Sequence, residues 1–240
     1  FLSKSIVIIF LFINLFIEKT KKIYLIILLL LVNYVIFLSG DRGALIISLI
    51  YQFLLFLIYK DIRKLLIYVY LIISIIILVH TSFFNNSYSR YYSTTKEQIS
   101  NFENTNYDDM FYMSLKIFEN NILFGSGIKS YRYACKLHAD NENLKHLKDG
   151  CSTHPHQTYL QLLAEMGMSG LILFSLFWLN IIRQSISGIF SKNNGLVISG
   201  LFICLIYLPI IPSGNFFGTW NNSIIFLNFG FFLYYKNNKL

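Results

Sequence analysis

Residues 25–32 read Leu-Ile-Ile-Leu-Leu-Leu-Leu-Val, apolar on every face, and few folds can absorb a segment of that kind. A strand of a membrane barrel alternates apolar with polar side chains, and a surface helix of a soluble domain keeps a polar stripe. Runs of the same character recur at residues 5–17, 23–38, 44–59, 65–79, 159–182, 196–211 and 223–235. As helices they approach the roughly 30 Å of hydrocarbon in a bilayer, with flanking Lys and Tyr side chains reaching the interfaces where a run is short. Composition closes the soluble alternative: 55% of the 240 residues are hydrophobic and 13% are charged, against roughly 25% charged in an average soluble domain. The expected fold is all-α, a polytopic transmembrane bundle of about seven helices. Four spans fall within residues 1–82, three within 159–240, and a long connection holding short amphipathic helices covers 83–158.

The formal net charge of +8 raises the question of nucleic acid, and the location of the charges answers it. Lys19, Lys21 and Lys22 share one short connection, Lys60, Arg63 and Lys64 another, Arg183 and Lys192 a third, and Lys236 and Lys239 the C-terminal end. With seven spans these places all face one side, which the positive-inside rule makes cytoplasmic. The opposite short connections carry only Arg42, with no Lys or Arg across residues 212–222. The long connection balances eight Lys/Arg against eight Asp/Glu and falls outside the cytoplasmic membrane. The excess charge is therefore an orientation signal, and nucleic acid is not an expected partner. No initiator Met or signal peptide precedes Phe1, and the first span starts on the outer face, so further spans N-terminal to it are expected.

Cys135 and Cys151 both fall in the outer connection, where an oxidising exterior favours a disulfide; a shared metal site is the alternative. Cys204, inside a span, reads as a small buried residue. Residues 85–106 show little apolar periodicity and are expected to be mobile or to lie at the interface. From Asp108 the pattern turns helical, with Phe111, Leu115, Phe118 and Ile122 on one face, two carboxylates at the start and Gly125 as the stop. An amphipathic helix on the membrane surface is expected there. Gly125-Ser126-Gly127 then precedes Lys129 and Arg132, which reads either as a solvated turn or as an anion contact made by loop N–H groups and the two cations.

Residues 151–174, CSTHPHQTYLQLLAEMGMSGLILF, concentrate the chemistry. Pro155 suits the first turn of a helix capped by Thr153 or His154, which puts His156 in that turn at the outer surface. The helix dipole there disfavours the imidazolium and keeps the ring able to accept a proton, as a general base must. Tyr159, Leu160, Leu163, Gly167 and Gly170 fall on the same face, and the two glycines let another helix approach. Glu165, near the opposite face, is expected to pair with a basic group inside the bundle. The two histidines also raise zinc, yet His138, His146, Cys135 and Cys151 have no ligand spacing, and neither a metal nor another cofactor is expected. His80, alone at a span end, reads as an interfacial or packed histidine. Arg42, within Ser39-Gly40-Asp41-Arg42-Gly43, sits at the outer surface against the orientation rule. It either pairs with Asp41 or a headgroup, or binds a lipid diphosphate, for which a planar bidentate donor is suited.

Taken together these residues resemble the O-antigen ligase and O-antigen polymerase superfamily of bacterial membrane glycosyltransferases. His156-Gln157, nine residues, then Gly167-Met168-Ser169-Gly170 resembles the ligase pattern; residues 39–45 resemble the family's Ser-Arg-Gly element with Asp41 inserted; residues 118–132 resemble the segment ahead of the catalytic histidine. Leu171 departs from the small residue or Tyr often found there, and Asp108 and Asp109 stand where many members have an arginine. The resemblance implies a multi-pass protein of the bacterial inner membrane, active on the periplasmic face in lipopolysaccharide and cell-envelope biosynthesis. The donor would be a glycan on undecaprenyl diphosphate and the acceptor a sugar hydroxyl of lipid A core, in a metal-independent transfer with inversion. His156 would be the base. Arg42, with Arg132, Lys129 or Arg90, would hold the diphosphate, and His154, Gln157 and Tyr159 complete the substrate-binding set. Gly167, Gly170, Cys135 and Cys151 are structural. A polymerase, a protein O-oligosaccharyltransferase, and a non-catalytic transporter or lipid-binding protein are the alternatives, membrane lipids being partners in each.

Overall fold

The computed structural model describes residues 6–11, 22–83, 89–101, 105–141, 151–209 and 212–238. The second half of the first expected span, together with Lys19, Lys21, Lys145, His146, Lys148 and Lys239, lies outside the described residues. The long elements are α1 (Lys22–Ser39), α2 (Arg42–Ile58), α3 (Lys60–Phe83), α4 (Thr94–Ser100), α5 (Asn106–Asn120), α6 (Tyr131–Asn141), α7 (Thr158–Phe190), α8 (Asn194–Ile206) and α9 (Thr219–Asn237). A π-helical turn, Ser89–Ser93, precedes α4. All regular structure among the described residues is helical, in agreement with the all-α expectation. Two of these helices, α3 and α7, are long and apolar enough to cross a membrane; α1, α2 and α8 are apolar but shorter. Many of their large side chains face outward, among them Leu71, Ile75, Leu78, Leu173 and Leu176, each at least 60% exposed. Water would not tolerate so continuous an apolar surface on a monomer.

The chain divides into two units. The first comprises Phe1–Lys96, Ile181–Ile206 and Ile224–Leu240. Here α1 and α2 form a hairpin closed by Gly40 at φ 66° and by Asp41, whose carboxylate accepts the Ala44 N–H at 3.0 Å as the N-cap of α2. At the far end of α2, Arg63 caps the last turn, donating to the Phe56 and Leu57 carbonyls at 2.8 Å each. Between those ends the hairpin holds a buried polar lock: Gln52 Nε2 donates to Asn33 Oδ1 at 2.8 Å and to Ser48 Oγ at 2.9 Å. In an apolar surrounding such paired amides fix the register of two helices. Tyr51, fully buried, meets Phe10 and Phe202 edge-on and donates to the Ile198 carbonyl. Residues 89–100, within the stretch expected to be mobile or to lie at the interface, form the π-helical turn and α4. Tyr91 stacks on Phe37 with centroids 5.2 Å apart and donates to the Phe37 carbonyl at 2.7 Å. The wider π-helical turn spaces side chains off the 3.6 period, which hides it from a search for α periodicity.

The second unit comprises Glu97–Asn180 and Tyr207–Ser223. Helix α5 starts at Asn106, near the expected place, but buries Met110, Met113, Ser114 and Ile117. The stripe read from the sequence leaves Leu115 and Ile122 exposed, while a second stripe forms the core, Met113 and Ile117 against Tyr131, Cys135, Ala139, Cys151 and Ala164. The register is set by α6, which packs its small and sulfur-bearing residues there, and by Tyr131, whose hydroxyl donates to the Met110 carbonyl at 3.1 Å. Cys135 and Cys151 are joined by a disulfide, Cα to Cα 5.4 Å.

Helix α7 is broken inside its length. Gly167 adopts φ 66° and ψ −162°, a combination essentially confined to glycine. The backbone groups freed by the break are met by the loop 122–127. Ser126 and Gly127 donate to the Ala164 and Glu165 carbonyls at 2.9 Å, while Met168 and Ser169 donate back to Ile122 and Leu123 at 2.8 and 3.2 Å. Non-helical backbone near a membrane survives only where its polar groups are satisfied in this way. The close approach expected at Gly167 is therefore made by a loop and not by a helix. Gly170 faces the Met166 side chain of its own helix. A Cβ on Gly167 would stand 2.6 Å from the Gly125 nitrogen and from the Leu123 carbonyl. Gly167→Ala is expected to lose about 2 kcal/mol or more, read as a lower melting temperature in detergent. Gly230→Ala, where a Cβ meets nothing within 4 Å, is the neutral control.

Candidate active site

The histidine turn precedes α7 instead of forming its first turn. Helix α7 begins at Thr158, because His156 is left-handed at φ 54° and cannot continue a helix. Gln157 does the capping expected of Thr153 or His154: its side-chain oxygen accepts the Leu160 N–H at 2.6 Å and its carbonyl accepts the Gln161 N–H. Its amide nitrogen donates to the Pro209 carbonyl at 3.0 Å. Segment 209–217 braces the turn further. Ser213 N–H donates to the His156 carbonyl at 2.8 Å, Thr158 Oγ1 donates to Ser213 Oγ at 2.8 Å, and Gln161 bridges Asn215 Oδ1 and the Phe216 N–H. Tyr159 donates its hydroxyl to the Tyr207 carbonyl at 2.7 Å. Gln157 and Tyr159 thus have their polar ends engaged in holding the turn.

His154 and His156 stand side by side, ring centroids 4.1 Å apart and tilted by 46°. Tyr107 meets His156 edge-on at 6.1 Å. His154 is buried, and its Nδ1 lies 2.8 Å from Thr153 Oγ1. Burial, with a smaller push from His156 and against the Ser213 backbone, takes the His154 imidazole down to about 4. Burial also lowers half-buried His156. Both rings are neutral at pH 7. The main cause at both rings is desolvation.

Glu165 is expected to meet a basic group; Lys129 does act on it electrostatically, but its hydrogen bonds come from amides. Its carboxylate accepts the Lys129 N–H at 3.1 Å and the Tyr131 N–H at 3.0 Å, capping the start of α6, and Gln161 Nε2 joins it at 3.2 Å. The Gly125–Tyr131 stretch therefore spends its amides on α7: Ser126 and Gly127 on its carbonyls, Lys129 and Tyr131 on its carboxylate. A backbone anion nest is not left over. The cationic side chains of Lys129 and Arg132 are exposed. Gln161 and Glu165 were overlooked as a pair, although two polar residues four apart in an apolar helix mark one inward face.

Arg42 belongs to the first unit. It is the first residue of α2, and its Nη1 donates to Thr95 Oγ1 at 2.9 Å, while Thr95 donates to the Tyr91 carbonyl at 2.7 Å. Asp41 is committed to its own helix cap. Arg90 falls in the π-helical turn that leads into Thr95; its side chain lies outside the described set. His80 packs against Tyr34, 3.2 Å from its hydroxyl, and edge-on against Phe37. Cys135 and Cys151, bound to each other, are withdrawn as thiolate ligands, and among the described residues no three His, Cys, Asp or Glu side chains converge on a metal position.

Two helices are of membrane-crossing length, one of them broken and met by the loop 122–127, and a braced turn ahead of that helix carries two adjacent neutral histidines. Residues 25–175 match the O-antigen ligase family model, and the chain belongs to that family, whose members are membrane glycosyltransferases. No curated protein and no solved structure matches the chain. The matched stretch runs from α1 through the break in α7 and includes Arg42, the disulfide, His156 and both glycines.

Two outcomes follow from this geometry. Unfolded histidines take up protons near pH 6.5, whereas folded His154 does so only near about 4. Stability is thus full above about pH 6.5 and is lost as pH falls toward 4; melting temperatures measured from pH 7.5 to 4.5 should drop, and less steeply in His154→Gln. Removing the cap with Glu165→Ala leaves two amides unpaired, costing about 1–3 kcal/mol, and should open the loop to trypsin after Lys129 under conditions where the wild type resists.

Proposed function

We propose that this chain transfers a glycan from undecaprenyl diphosphate to a sugar hydroxyl of lipid A core, at the periplasmic face of the bacterial inner membrane. In this reading the chain is polytopic, with about seven spans, four within residues 1–82 and three within 159–240, and residues 83–158 form the periplasmic connection. The observation that carries it is the neutral His156 imidazole in a left-handed turn braced on both sides. An imidazole held uncharged near neutral pH is a competent base toward a hydroxyl. The acceptor oxygen attacks the anomeric carbon, its proton passes to His156, and the bond from that carbon to the diphosphate oxygen breaks, with inversion and without a metal. Negative charge grows on the departing diphosphate. Arg42, supplemented by Arg132, Lys129 or Arg90, stabilises it by charge-assisted hydrogen bonds.

A polymerase or a protein O-oligosaccharyltransferase would share this chemistry and differ in acceptor. His156→Ala and Arg42→Ala should each lower transfer at least about 100-fold while the protein still inserts; wild-type rates for His156→Ala would sink the base assignment. In a deletion strain, lipopolysaccharide gels should show core without attached glycan. A single repeat on the core would mean polymerase, and an unchanged pattern would remove both.

A further inference from the structure

The turn that carries His156 holds a second imidazole, which the proposed transfer leaves unused. His154 is 8% exposed, and its Nδ1 is engaged with Thr153 Oγ1. Its Nε2 is buried and has no hydrogen-bond partner. A weak backbone hydrogen bond at Ser213 favours the charged ring, but no group meets Nε2 with full hydrogen-bond geometry. Buried polar atoms are nearly always paired, so an orphan beside a reactive group has a ligand as its natural complement. In the tautomer in which Thr153 donates its hydroxyl to Nδ1, Nε2 carries the proton and is a donor. The neighbouring ring, 4.1 Å away, is the base.

Two adjacent imidazoles, one a donor and one a base, have the complementary chemistry for two hydroxyls on neighbouring carbons. A serine or threonine of a protein acceptor offers only one. We infer that His154 Nε2 donates a hydrogen bond to the acceptor hydroxyl adjacent to the reacting one, so that the pair of histidines seats a carbohydrate presenting neighbouring hydroxyls. This rests on His156 as the base. His154 keeps its proton throughout; only the reacting hydroxyl loses one, to His156. His154 is thus a substrate-contacting residue that selects the acceptor and leaves the donor alone. A site built to hydrogen-bond a hydroxyl discriminates strongly against the analogue that lacks it.

The test uses the full-length protein in lipid nanodiscs with an undecaprenyl-diphosphate glycan as donor. Acceptors are a lipid A core ending in a hexose and the monodeoxy analogues of that hexose. One analogue, lacking the reacting hydroxyl, should accept nothing. An analogue lacking the neighbouring hydroxyl should raise the acceptor KM about tenfold, with donor KM unchanged. His154→Phe should produce the same rise on the native acceptor and add nothing on that analogue, since both remove one contact. Should the Phe variant misfold, judged by loss of the 135–151 disulfide, Thr153→Val provides the second probe. By releasing the tautomer it should weaken only the native acceptor. Losses that multiply, an equal effect on every acceptor, a change in donor KM, or preferential transfer to a serine peptide would each overturn the inference. Failure of the base reading is seen separately, as transfer surviving His156→Ala.

Discussion

A helix that breaks inside its length must find partners for the N–H and C=O groups it releases, and the second unit is organised around that requirement. At Gly167 the carbonyls of Ala164 and Glu165 and the amides of Met168 and Ser169 turn outward, and the loop 122–127 meets all four. The Glu165 carboxylate extends the joint by one more turn of chain and starts α6. Helix α6 in turn supplies Cys135, and the disulfide returns the chain to Cys151, at the threshold of the histidine turn. The position of His156 is therefore set by a closed circuit of backbone bonds, one carboxylate and one covalent link.

Electrostatics at the turn follow from exclusion of water more than from any charged neighbour. Burial is the main cause of the low imidazole basicity at both histidines. Segment 209–217 shapes that enclosure, because Pro209, Ser213, Asn215 and Phe216 each take a hydrogen bond from, or give one to, residues 156–161. In the first unit Arg42 is held by a different logic, through a hydroxyl relay from Thr95 to Tyr91, itself stacked on Phe37.

Much of this was readable in the chain before any coordinates. Apolar runs gave the helical class, and the cysteines, His156 and Arg42 stood out as chemistry in an otherwise apolar text. What escaped had identifiable reasons. A left-handed His156 leaves no mark in sequence, since only glycine advertises positive φ, so the helix was started too early. On α5 the sequence shows the outer apolar stripe, whereas the inner one, Met110, Met113, Ser114 and Ile117, becomes evident only from its packing against α6. Intramembrane carboxylates usually seek a cation, but Glu165 takes its hydrogen bonds from the amides of Lys129 and Tyr131 at the start of α6, with the Lys129 charge acting beside them. The π-helical turn failed an α-period search by construction.

The joint at Gly167 is made of main-chain atoms, and that has a consequence for how such a protein can change over generations. The side chains of Ile122, Leu123 and Phe124 take no part in its hydrogen bonds and are largely exposed. They can be exchanged to suit lipids of another thickness or chemistry without loosening the clasp beneath them. Gly125 and Gly167 have no such latitude, because any added carbon would fall on the opposing backbone. Drift at the surface and fixity one layer below are the pattern that a main-chain clasp imposes.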